Sequence, residues 1–71
     1  MDRPRVLFLV GYQSVERRLR PSLDQRYEVR VARLRRETLA FLEEEPPDLL
    51  LIDVSSLRFD VERLLDDIED Y

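Results

Sequence analysis

Four large apolar residues in a row, Leu49-Leu50-Leu51-Ile52, lie between Pro46-Pro47-Asp48 and Asp53. The prolines and the aspartate stop any helix that runs into this point. A strand with one wet face would alternate apolar and polar side chains, and this run does not. It reads as a strand covered on both faces, the pattern of a parallel sheet. The run ends in a carboxylate, and sites in open parallel sheets form at the carboxyl ends of strands. Asp53 is therefore either a site residue or the first residue of a turn.

A second continuous run, Arg5-Val6-Leu7-Phe8-Leu9-Val10, predicts another buried parallel strand that ends at Gly11, the single glycine of the chain. Phosphate-cradling loops need several glycines, and none follows here. Ser14 is a good N-cap for a helix from Val15 to Gln25, with Val15, Leu19 and Leu23 on one stripe and Arg17, Arg18 and Arg20 on the other face. Pro21 predicts a kink or an early end to that helix. Tyr27-Glu28-Val29-Arg30-Val31-Ala32 alternates, so it predicts a half-exposed strand at a sheet edge. A helix from Arg35 to Glu45 follows, with Leu39, Phe41 and Leu42 as its apolar face. Glu43-Glu44-Glu45 reads as a solvated helix end, because three successive helical positions splay too widely to hold one ion. After a loop over Val54–Phe59, Asp60 caps a last helix whose Val61, Leu64, Leu65, Ile68 and Tyr71 recur at helical spacing.

The order is strand–helix–strand–helix–strand–helix. Right-handed crossovers then give an α/β fold: a three-stranded parallel sheet in spatial order 2-1-3, with helices on both faces. The 71 residues make one small domain. No cysteine or histidine is present, which excludes a disulfide framework, a zinc-finger site and a histidine-based triad. No apolar run reaches the ~20 residues of a membrane span, and Met1-Asp2-Arg3-Pro4 does not read as a secretory signal, so a cytoplasmic protein is expected. Residues 1–36 hold ten Arg against four acids, and residues 37–71 hold two Arg against twelve acids. Such asymmetry predicts basic and acidic surfaces that attract each other within a fold or between subunits. Nucleic-acid binding is not expected, because no aromatic residues are interleaved with the arginines.

The alternation, with Pro46-Pro47-Asp48-Leu49-Leu50-Leu51-Ile52-Asp53, resembles the first half of a response-regulator receiver domain, a flavodoxin-like fold, across essentially the whole chain. The resemblance places the phosphoacceptor aspartate on Asp53 and an expected aspartate on Asp60. It also implies a signalling context, with further domains or a signalling partner after Tyr71. Three departures stand out. Receivers usually carry two magnesium-holding acids after the first strand, where this chain has Gly11 and Tyr12. They usually carry a proline four residues after the phosphoacceptor, where this chain has Leu57. Their fourth strand with a hydroxyl and fifth strand with a lysine have no counterpart in these residues.

Phosphoryl transfer to a carboxylate depends on cations that neutralise the developing charge. Magnesium typically takes one or two carboxylates, and Asp53 would stand nearly alone. The expectation is a pseudo-receiver: no enzyme, no metal, no cofactor, and Asp53 hydrogen-bonded to backbone N–H groups, Tyr12, Ser55 or Ser56. A third strand at an open edge is an invitation to pair with another chain. A homodimer is expected, either through Leu49, Leu50, Leu51 and Ile52 or through Val61, Leu64, Leu65 and Ile68 of the last helix. Two other readings compete. One is a phosphoacceptor response regulator acting through Asp53. The other is a flavodoxin-like small-ligand binder using the crevice beside Gly11 and Ser55.

Overall fold

The computed structural model describes residues 3–56 and 60–69. It is an α/β fold with β1 at Arg5–Leu9, α1 at Gln13–Asp24, β2 at Glu28–Ala32, α2 at Arg35–Glu44, β3 at Leu49–Ile52 and α3 at Val61–Glu69. The sheet is parallel in the order β2-β1-β3. The apolar run of β1 takes the central place because only a central strand of this sheet is covered on every side. Val6, Leu7, Phe8, Leu9 and Val10 are each at most 1% exposed. β2, with its alternating pattern, takes an edge, and its Glu28 and Arg30 are exposed.

In register, Leu7 and Leu9 of β1 share a sheet face with Leu50 and Ile52 of β3 and with Ala32 of β2. Leu64 of α3 completes this core, and Leu39, Phe41, Leu42 and Ile68 pack against it. Helices α2 and α3 thus cover one face. Helix α1 lies on the other, where Val15 and Leu19 meet Phe8.

Local sequence explains the helix ends, with two corrections. Helix α1 starts earlier than its serine suggests: Tyr12, not Ser14, is the N-cap, and the Tyr12 carbonyl accepts from the N–H groups of Val15 and Glu16 at 3.1 and 3.2 Å. Ser14 is instead the second helical residue. Nor does Pro21 end the helix, which runs on to Asp24. Pro21 is exposed, so the carbonyl it leaves without a donor stays on the water side, where a proline is least costly. Helix α2 gains a device that its leucine N-cap conceals. The Glu37 carboxylate reaches back to accept from the N–H groups of Leu34 at 3.0 Å and Arg33 at 3.2 Å, the reciprocal half of a capping box. Thr38, the one buried polar residue among those described, donates its hydroxyl to the Leu34 carbonyl at 3.1 Å. Asp60 caps α3 by accepting from the Arg63 N–H at 3.3 Å. The predicted loop after β3 contains a short 3-10 turn at Val54–Ser56.

Arginine–carboxylate pairs tie elements together around the sheet. Glu45 pairs with Arg30 at 2.8 Å and with Arg5 at 3.4 Å, and the Arg30 guanidinium lies 5.5 Å from the centre of the Phe41 ring. Glu16 of α1 pairs with Arg33 and with Arg20. Arg35 pairs with Asp67, joining α2 to α3. The attraction between basic and acidic halves is therefore partly satisfied inside the fold.

Candidate functional site: the tip and open edge of the third strand

Asp53 follows β3 directly. Its backbone N–H donates to the Leu9 carbonyl at 2.9 Å, which extends the β1–β3 pairing by one residue and holds the carboxylate at the carboxyl end of the sheet. The side chain is half-buried. Ser55, raised on the 3-10 turn, donates its hydroxyl to Asp53 Oδ1 at 2.7 Å. This is one of the partners expected from the sequence. Tyr12, another, stands at the start of α1 with about half of its surface exposed. Ser56 lies in the 3-10 turn, but its side chain falls outside what the structure describes, as do Leu57 and Tyr71. Where receivers place paired acids, this chain places Gly11 and Tyr12 at the end of the central strand. Among the described residues, no group of three or more potential ligand side chains converges as a metal site.

The other end of β3 is anchored by Asp48, which does more than stop the preceding helix. Asp48 accepts from the Arg5 N–H at 2.8 Å through its carboxylate, and its own N–H donates to the Arg5 carbonyl at 2.9 Å. Since the Asp53 N–H points at β1, alternation turns the Leu51 N–H to β1 as well and those of Leu50 and Ile52 to the far side. There, β3 has no neighbouring strand among the described residues. Leu49 is 49% exposed. A short apolar strand thus presents a row of outward backbone groups without a charge among its side chains.

The face of β3 opposite α2 and α3 is also partly open. Helix α1 has no fully buried residue, and Leu19, on its apolar stripe, is 42% exposed. Between α1 and β3 runs a groove of about 390 Å³ lined by Phe8, Val15, Leu19 and Leu51, with Asp53 and Ser55 at one end. The amphipathic pattern of α1 was readable from the sequence. That its stripe is wider than the strands it covers was not, because that depends on how far β3 lies from the helix.

The four residues expected to form a helix interface divide differently. Leu64 is fully buried in the chain's own core, and Ile68 packs against that core. Both are committed to holding α3 on the sheet, which corrects their expected availability to a second copy. Val61 is half-buried, and Leu65 is exposed.

Among the described residues, no helix is long and apolar enough to cross a membrane. Comparison with protein-family models, with curated proteins and with solved structures finds no match to this chain.

Proposed function

We propose that this chain is a receiver-like association module that pairs with a second copy of itself through β3 and does not carry a phosphoryl group. The observation that supports this reading most strongly is the open, apolar, uncharged edge of β3. Proteins that remain single blunt such edges with charge, proline or a covering loop. Two β3 edges meeting antiparallel about a two-fold axis would place the outward N–H and C=O groups of one strand against those of the other. The result is a continuous six-stranded sheet. A domain of this size, with a thin stability margin, also gains from the added burial.

The chemistry around Asp53 favours association over phosphorelay. The Ser55 hydroxyl, which donates to Asp53 Oδ1 at 2.7 Å, is a neutral group. It does not supply the concentrated positive charge that transfer to a carboxylate requires. Gly11 and Tyr12 add no carboxylate to a magnesium site.

Two experiments test the reading. Sedimentation equilibrium at micromolar concentration should give at least twice the chain mass, and a stable monomer there would overturn the pairing. Incubation with a small phosphodonor and magnesium should leave the mass of the protein unchanged. A stable gain of one phosphoryl group at Asp53 would restore the phosphoacceptor reading.

A further inference from the structure

We infer that the groove between α1 and β3 receives the acidic helix α3 of a second copy, as a contact separate from pairing at the β3 edge. The groove is apolar along its length, and its α1 wall carries unspent positive charge. Glu16 and Arg20, on the β2 side of α1, are occupied with Arg33 and with each other. Arg18, three residues after Val15, falls on the groove side of the helix. It is exposed and makes no ion pair with a described residue.

The matching surface is on α3. Glu62, Leu65, Asp66 and Glu69 recur at spacings of three and four, so they share one side of the helix. All four are exposed, Leu65 by 43%. Among the described helices, α3 is the one that pairs an exposed leucine with a run of uncompensated carboxylates. Leu65 is an apolar knob of the right kind for a groove walled by leucine, valine and phenylalanine, and the flanking acids would meet Arg18.

The occupant must come from another molecule. Leu64 fixes α3 to the face of the sheet that carries α2, whereas the groove opens on the face that carries α1. Knob and groove therefore lie on opposite sides of one copy, and the contact is head-to-tail. It uses side chains on a sheet face, while β3 pairing uses backbone groups at an edge, so each can fail without the other.

The test uses the full chain in a Leu49→Lys background, which sets a charge on the exposed start of the β3 edge. Sedimentation velocity across a concentration series should still show association, weakened by added salt. The variant Arg18→Glu and the variant Asp66→Arg should each associate about fivefold more weakly, as expected for one exposed pair turned from attraction to repulsion. Mixed one to one, they should recover association in trans. Leu65→Glu should weaken it as well, with its circular dichroism melt unchanged. A Leu49→Lys chain that is monomeric throughout would overturn this inference and leave β3 pairing standing. Charge variants that associate like the parent, or that gain nothing on mixing, would also overturn it.

Discussion

The two edges of this sheet carry the same backbone groups and present them in opposite ways. At the β2 edge, Glu28 and Arg30 alternate with half-buried valines, and Glu45 and Arg5 draw those charges into ion pairs. A second strand arriving there would have to strip water from several charged side chains. At the β3 edge, four aliphatic residues stand in line without a charge among them. The difference shows that what protects a strand edge is the character of its side chains. The number of open hydrogen-bonding groups is not what separates the two.

The largest expected effect comes from removing what both edges share. Leu64 is fully buried under the sheet face that carries α2 and α3. Leu64→Ala should cost about 2–5 kcal/mol, read from urea unfolding. In a domain with a total stability of about 5 kcal/mol, that is enough to abolish folding and association together. A smaller loss would mean that α3 contributes less to the core than its burial indicates.

Next, Leu49→Lys sets a charge on the exposed start of the β3 edge. By symmetry a β3-paired dimer then carries two such charges, each costing roughly 0.7 kcal/mol, so the β3-mediated part of association should weaken about tenfold by sedimentation, with the unfolding midpoint held. The mirror experiment is at β2. Glu45→Gln releases Arg5 and Arg30, both about half-exposed. It should change stability by no more than about 1 kcal/mol, with less effect at high salt, and should leave association unaltered.

The smallest effect lies between α1 and β2. The hydrogen bond from the Arg33 side chain holds the Glu16 carboxyl below its ordinary value of 4.5, against the opposing effect of burial and with help from Arg20. A carboxyl lowered by folding stabilises the fold above its unfolded value, and that contribution fades as pH falls through the lowered one. Unfolding free energy should therefore drop below about pH 4.5, and Glu16→Gln should flatten that part of the profile.

How much of this was legible beforehand follows from the kind of signal each feature leaves. The sheet order could be read because continuous and alternating runs report different burial, and strand burial depends on place in the sheet. The tip of β3 was legible in part: Ser55 meets Asp53 as its spacing allows. The helix starts were less legible. A tyrosine N-cap supplies only its backbone, and the carboxylate of Glu37 caps α2 from three residues inside. The role of Leu64 was misjudged because helical spacing identifies an apolar stripe without saying which of its residues face the chain's own core and which face outward. The groove beside α1 left no sequence signal, since it arises from the distance between two elements.

Amide hydrogen exchange at Leu50 and Ile52, followed by NMR across a concentration series, tests the β3 account most directly. Their N–H groups point away from β1, so they should exchange freely in dilute solution and become protected as two edges pair, while the inward N–H of Leu51 stays protected throughout. Exchange at Leu50 and Ile52 that stays fast at every concentration, in a chain that nonetheless self-associates, would contradict pairing through this edge.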